Sequence, residues 1–147
     1  MEVKKLTKKN WSSILVFGLF GQFAWTIENM YFNVFMYNTI TTDSRMLANM
    51  IFSSAVVATL TTLLMGALTD NVGKRKLFIV GGYILWGIST LSFGFISVER
   101  ITALFPHLNA VVFAAILVIV MDCVMTFFGS TANDAAFNAW INDITPK

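Results

Sequence analysis

Four long apolar runs, separated by short polar segments, constrain the fold of this chain more than any other feature. A helix needs about 20 apolar residues to cross the hydrocarbon core of a bilayer. The runs predict helices over residues 11–37, 46–69, 77–97 and 110–143. Only 12% of the residues are charged, against about 25% in a typical soluble domain. The sequence therefore predicts an all-α integral membrane protein with four transmembrane helices that form a single membrane unit.

The basic residues are distributed unevenly between the segments that connect these helices. Lys74, Arg75 and Lys76 follow Gly73 in the short turn between the second and third helices. The same side of the membrane would hold Lys4, Lys5, Lys8, Lys9 and Lys147, and the opposite side Arg45 and Arg100. Because Lys and Arg in short loops stay in the cytoplasm, we expect both termini to be cytoplasmic. The localisation expected is a multi-pass protein of the cell membrane.

Two of the predicted helices carry a stripe of polar residues. The spacing i, i+4, i+7, i+11 relates Gln22, Thr26, Asn29 and Asn33 on the first helix, and Asp122, Thr126, Gly129 and Asn133 on the fourth. Residues at this spacing share one helix face. Glu28 lies on the shoulder of the first stripe, roughly 100° from Asn29. The third helix carries no such stripe. We expect the first and fourth helices to line an aqueous pathway; the alternative is hydrogen bonding between packed helices. The candidate pathway residues are Gln22, Trp25, Glu28, Asn29, Asn33, Asp122, Thr126 and Asn133.

Glu28 and Asp122 favour the pathway interpretation. An ionised carboxylate at membrane depth is difficult to satisfy by packing alone and normally faces water or a partner. A carboxyl group in a partly dry site also binds a proton more readily than in water. Both residues are therefore candidates to bind a coupling proton, with sodium as the other possible coupling ion. Asp134 is expected to be a charge near the end of its helix. Trp25 is assigned either to sugar stacking in the pathway or to the interfacial belt.

The composition argues against an enzyme. The chain has one histidine, His107, and one cysteine, Cys123. From these we can assemble no nucleophile–base pair, metal cluster or phosphate-binding loop. We expect no cofactor and no nucleic-acid partner.

The turn between the second and third helices resembles a known signature. Gly66-x-Leu68-x-Asp70-x-x-Gly73-Lys74-Arg75-Lys76 is similar to the motif between helices 2 and 3 of the major facilitator superfamily. Asp143-x-x-Pro146 is similar to the start of the acidic motif after helix 4 in that family. The resemblance covers the whole chain but only the first four helices of the family's architecture.

The resemblance implies twelve helices in two six-helix halves, with the substrate site near the midplane between them. The chain is then the first part of one half, and the remaining helices of the transporter are expected partners, besides the lipid bilayer and a small solute. It also implies a cytoplasmic gate formed by Gly66, Asp70, Gly73, Lys74, Arg75, Lys76 and Asp143. In that gate, Gly66 permits a close helix approach, and Asp70 either accepts from a helix N-terminus or pairs with Arg75. The alternative is that the three basic residues only set the topology.

The function that follows is secondary active transport of a small solute by alternating access, coupled to a proton or another cation. The first helix resembles that of sugar–cation symporters of the melibiose type, which favours a sugar-like substrate. Ala58 and Thr62 stand where that group carries carboxylates on helix 2. The alternatives are a drug or multidrug efflux transporter, and a standalone four-helix membrane scaffold or dimeric small exporter.

Overall fold

The computed structural model describes residues 6–145, and all regular structure within that range is helical. In chain order the elements are α1 (Lys8–Phe35) with a π-helical extension (Met36–Ile40), α2 (Ser44–Val72), α3 (Arg75–Ser92) with a 3₁₀ turn (Phe93–Phe95), α4 (Val98–Leu104), α5 (Ala110–Gly129), a π-helical segment (Ser130–Phe137) and α6 (Asn138–Ile144). Lys4, Lys5 and Lys147, which entered the prediction of orientation, lie outside the described residues, as does Pro146 of the acidic motif.

Three of these helices are long and apolar enough to cross a membrane. They are Ser44–Val72, Arg75–Phe95 and the continuous stretch Ala110–Ile144. These three helices confirm the prediction of an all-helical membrane protein, but not the count of four membrane-spanning helices. Although α1 spans 28 residues, it is not among the three, since its amides and Glu28 lower its mean hydropathy.

Two features of the helices differ from the sequence-based expectation. The predicted outer loop after the third helix contains the short helix α4, which begins where the hydroxyl of Ser97 accepts a hydrogen bond from the backbone N–H of Arg100 at 3.2 Å. Such an N-cap satisfies one of the unpaired amides of the first turn.

The expected uninterrupted helix over 110–143 is instead π-helical at Ser130–Phe137. There the hydroxyl of Thr131 donates to the carbonyl of Phe127 at 2.7 Å, a bond that bends helices.

The α5 helix and its π-helical segment occupy the centre of the fold, between α2 and α3. Ala114, Ala115 and Val118 of α5 and Ala132 and Ala136 of the π-helical segment are completely buried. Small side chains of this kind let helix backbones approach closely within a membrane. Alanine and valine therefore form much of the buried side of the central helix, together with Met125 and Phe137.

The α1 helix is held mainly through aromatic and polar side chains. The rings of Phe32 on α1 and Phe93 after α3 have centroids 4.1 Å apart, and those of Phe17 and Tyr83 are 5.9 Å apart. Its other face is exposed and apolar; Phe20, for example, is 67% exposed. Exposed apolar surface of this extent is expected where a helix faces lipid or another helix.

Two adjacent glycines of α3 differ sharply in their surroundings. A Cβ at Gly82 would lie 2.7 Å from the Cβ of Ala132 and 3.2 Å from the backbone oxygen of Phe128. A Cβ at Gly81 would have no heavy atom of another residue within 4 Å. The absence of a side chain at Gly82 therefore permits the close crossing of α3 and the π-helical segment.

We predict that Gly82→Ala destabilises the fold and that Gly81→Ala, its matched control, does not. Forcing a methyl group against neighbouring backbone costs about 1–3 kcal/mol, whereas Ala in place of Gly in an open helix position is neutral or stabilising. Thermal unfolding in the same detergent measures both. Equal transition temperatures for the two variants would contradict the close crossing.

Candidate functional site

A cavity of about 340 Å³ lies between α1, α2 and α5. Six of the eight predicted pathway residues line it: Trp25, Glu28, Asn29, Asn33, Asp122 and Thr126. At its rim, Asn29 and Ala55 are exposed, so the cavity is open on that side. The polar faces of α1 and α5 thus meet in one space.

The other two predicted pathway residues lie elsewhere. Gln22 is exposed, and its carbonyl accepts from the hydroxyl of Thr26 at 2.8 Å. Asn133 is 3% exposed and accepts a hydrogen bond from the hydroxyl of Tyr83 at 3.1 Å. Of the two stripes, the part formed by Asn29, Asn33, Asp122 and Thr126 lines the cavity. The remaining positions of the stripes are buried in helix packing or face outward.

Glu28 is hydrogen-bonded to Trp86 of α3, a residue that the pattern of polar residues in the sequence does not indicate. Glu28 is 7% exposed, and the indole Nε1 of Trp86 donates to both carboxylate oxygens, at 3.0 and 2.8 Å. The ring of Trp86 packs on α5 at Gly129, where a Cβ would lie 3.0 Å from it. The third helix, although it has no polar stripe, therefore supplies a donor to the interior. Tryptophan counts as apolar in pattern analysis, which hides its N–H group.

Asp122 is held by a hydroxyl group of α2. It is 7% exposed, and the hydroxyl of Ser54 donates to its Oδ2. Both residues line the cavity. The sequence signal for Ser54 was a hydroxyl group on α2, which carries several others, and it did not specify a partner. Each cavity carboxylate therefore receives a hydrogen bond from a helix other than its own.

Each of the two cavity amides donates a hydrogen bond to a backbone carbonyl of its own helix. The Nδ2 atom of Asn29 donates to the carbonyl of Trp25 at 2.8 Å, and that of Asn33 donates to the carbonyl of Asn29 at 2.6 Å. The Oδ1 atom of Asn33 is buried and has no hydrogen-bond partner. These amides therefore leave acceptor oxygens for a ligand.

The ionisable side chains of the cavity wall are acidic. Among the residues that the structure describes, Glu28 and Asp122 line it, and no Lys, Arg or His does. Within residues 6–145, no group of three His, Cys, Asp or Glu side chains is arranged to hold a metal ion. The wall offers carboxylate and amide oxygens, which suit a proton, a monovalent cation or a solute rich in hydrogen-bond donors.

A second polar cluster joins the ends of three helices. The Nη1 atom of Arg75, at the start of α3, donates to Asp70 Oδ1 near the end of α2 at 2.7 Å. Its Nε and Nη2 atoms donate to the two oxygens of Asp143 on α6, the latter at 3.2 Å. The Arg75 side chain is only 16% exposed, against 62% and 53% for the two aspartates. Arg75 is thus the centre of the cluster.

The other predicted gate residues surround this cluster. Gly73 ends α2 in the left-handed conformation, with φ 68°, and its N–H donates to the carbonyl of Thr69 at 3.0 Å. Gly is favoured at such a position because it has no Cβ. Lys74 and Lys76 are exposed. A Cβ at Gly66 would have no neighbouring atom within 4 Å, so its face of α2 is open.

Asp134 does not lie at a helix end as expected. It is partly buried within the π-helical segment, where its Oδ1 accepts from the amide of Asn133 at 3.1 Å. Asn133 in turn accepts from Tyr83 of α3, so Tyr83, Asn133 and Asp134 form a chain of hydrogen bonds between α3 and the π-helical segment. The role of Asp134 is therefore in packing of the interior.

No family model matches the chain, and neither a curated protein nor a solved structure matches it. The class of protein is consequently defined by the fold and the cavity alone. It is a helical membrane protein whose interior cavity presents two carboxylates and no basic side chain.

We predict that Trp86→Phe destabilises the fold chiefly through Glu28. Leaving a buried acceptor without its donor costs about 1–3 kcal/mol, whereas replacing both partners by apolar groups can be nearly neutral. Most of the loss should therefore disappear in a Glu28→Met background, as measured by the free energy of unfolding in mixed micelles.

Tyr83→Phe is the matched control for this cycle. It removes a polar group from the same helix, but that group bonds to Asn133, so its cost should be the same in both backgrounds. Equal costs of Trp86→Phe with and without Glu28 would show that the hydrogen bond does not contribute.

Proposed function

We propose that the chain forms four membrane-spanning helices of a secondary transporter of the major facilitator type. It moves a small solute across the cell membrane by alternating access, with both termini in the cytoplasm. In this proposal α1 is the fourth span, although it is the most polar of the long helices. Its exposed apolar face, with Phe20 and Met30 among the most exposed residues, supports contact with lipid or with further helices.

The observation that carries the proposal is the pair of buried carboxylates in one cavity. Glu28 and Asp122 come from different helices, and both are 7% exposed. Ionisable residues within membrane helices usually mark a substrate or ion pathway. A structural role alone does not require a cavity of about 340 Å³ beside them, which is large enough for a small molecule.

The Arg75 cluster supports a gate at the cytoplasmic end. Arg75 ties α3 to the ends of α2 and α6 through Asp70 and Asp143, and the neighbouring lysines are exposed. We propose that the open face of α2 at Gly66 receives one of the remaining helices of the transporter. A glycine there lets two helix backbones approach closely.

The preferred solute class is sugar-like. The cavity wall is rich in acceptor oxygens, and Trp25 offers an aromatic face at its edge, which together suit a molecule with many hydroxyl groups. A second candidate is a lipophilic cation moved outward. It is favoured by the two acidic side chains of the wall and by the apolar side chains of Phe32, Met50 and Met125 in the lining.

Uptake tests this proposal. Cells that express the gene at its natural length, whatever follows Lys147, are given labelled disaccharides, amino acids and a lipophilic cation, with and without a proton gradient. We expect gradient-dependent accumulation or extrusion of one class. Absence of flux for every class, with the protein shown to be in the membrane, would contradict transport.

We predict that Glu28→Gln abolishes proton-driven accumulation while solute exchange persists in part. The amide can still form hydrogen bonds, but it cannot bind and release a proton. Glu99→Gln is the control, because Glu99 lies on α4 and is exposed. Proton coupling that is unchanged in Glu28→Gln would exclude this residue as the coupling group.

We predict that residues 76 and 99 lie on opposite sides of the membrane. In a Cys123→Ala background, a membrane-impermeant maleimide added to intact cells should label Glu99→Cys. It should label Lys76→Cys only after permeabilisation. Both side chains are exposed, so burial does not affect the comparison. The opposite labelling pattern would reverse the proposed orientation.

A further inference from the structure

The two cavity carboxylates are held by donors of different chemical type. Asp122 receives its hydrogen bond from the hydroxyl of Ser54 on α2, and Glu28 receives its hydrogen bonds from the indole N–H of Trp86 on α3. We propose that Ser54 and Trp86 are positioning residues, and that Ser54 keeps Asp122 in place in both of its protonation states while Trp86 holds Glu28 as an acceptor. The assignment rests on the proposed function, because it concerns the coupling step of transport.

A serine hydroxyl can reverse the direction of its hydrogen bond. It carries one donor hydrogen and two acceptor lone pairs, and the hydrogen rotates to suit the partner. Ser54 therefore donates to an ionised Asp122 and accepts from a protonated one without any movement of heavy atoms. Asp122 can bind a proton while the contact between α5 and α2 is kept.

An indole cannot reverse its hydrogen bond, because its N–H is a donor only. The Trp86 ring is also fixed: it is 4% exposed, it packs against α5 at Gly129, and its centroid lies 5.3 Å from that of Trp25. A protonated Glu28 would present one carbonyl oxygen to the N–H instead of two equivalent oxygens. Its contact with α3 is then weakened, whereas the ionised form is matched to the fixed donor.

Few other ionisable groups act on these two carboxyl groups. Across the cavity each faces the other, and Cys123 follows Asp122 on α5. Glu28 also lines a second cavity with Tyr31 and Tyr83. The cavity-lining residues of α1, α2 and α5 include no basic side chain. The difference between the two sites therefore comes from their donors rather than from a neighbouring cation.

Infrared difference spectroscopy between two pH values tests the assignment without a known solute. The carbonyl stretch of a protonated carboxyl group moves to higher wavenumber when the group loses a hydrogen bond. In the full chain in lipid nanodiscs, the Asp122 band is identified by its loss in Asp122→Asn, and the Glu28 band by its loss in Glu28→Gln. These two bands are then followed in the donor variants.

Each donor variant should move only the band of its own carboxyl group. Ser54→Ala should shift the Asp122 band to higher wavenumber, and Ser54→Thr, which keeps the hydroxyl, should restore it. Ser53→Ala is the matched control, one residue away on the same helix, and should leave the band in place. Trp86→Phe should shift the Glu28 band only.

Two results would overturn the proposal: an Asp122 band that does not move in Ser54→Ala, and a wild-type spectrum with no titrating Asp122 band. Uptake measurements distinguish a failure of this positioning proposal from a failure of the proposed transport function. If no solute is transported, the transport proposal fails, but the bands still decide whether Ser54 and Trp86 position the carboxyl groups. If transport occurs, Ser54→Ala should change the pH profile of uptake and Ser53→Ala should not.

Discussion

The requirement that a carboxylate among membrane helices be given hydrogen-bond donors determines much of this structure. A charged group without a partner in such a place is costly, and each of the two cavity carboxylates obtains a donor from another helix. The donor of Glu28 is an indole, and this bulky ring needs space against the central helix. Gly129 provides that space. The position of one carboxylate thus fixes a tryptophan on α3 and a glycine on α5.

The same pairings connect particular pairs of helices. Glu28 connects α1 to α3, and Asp122 connects α5 to α2. Backbone packing of α5 on α2 and α3 is close, because small residues such as Ala114 and Ala132 lie between them. By contrast, α1 is attached through side chains, including the Phe32–Phe93 pair. Of the four long helices, α1 is therefore the one whose position depends most on single side-chain contacts.

The sequence predicted the helical class well, because hydropathy and length leave few alternatives for such runs. Of the polar residues that it assigned to a pathway, Glu28, Asn33 and Asp122 are among those that line one cavity in the structure, whereas Gln22 and Asn133 are not. It did not predict Trp86, because an indole is scored as apolar although its N–H is a strong donor. It did not predict the partner of Ser54, since the pairing of helices is a tertiary property that spacing within one helix does not contain.

Local backbone geometry was the other feature that the sequence did not predict. The short helix α4 begins at the N-cap residue Ser97. A single capping residue is a weak signal, and the sequence predicted a loop in this segment. The π-helical segment depends on the bonding of Thr131 and the packing of Asn133, which no periodicity reveals.

That segment has a geometric consequence for the distance between the two polar sites. Within Ser130–Phe137 the backbone repeats over more residues per turn than an α-helix, so it sets the rotation of everything that follows it. Asp143 comes after the segment and Asp122 before it, and each faces a different partner. An α-helical backbone over the same residues would turn Asp143 to a different face relative to Asp122, away from Arg75. The wider turns of this stretch are therefore part of what brings Asp143 to Arg75.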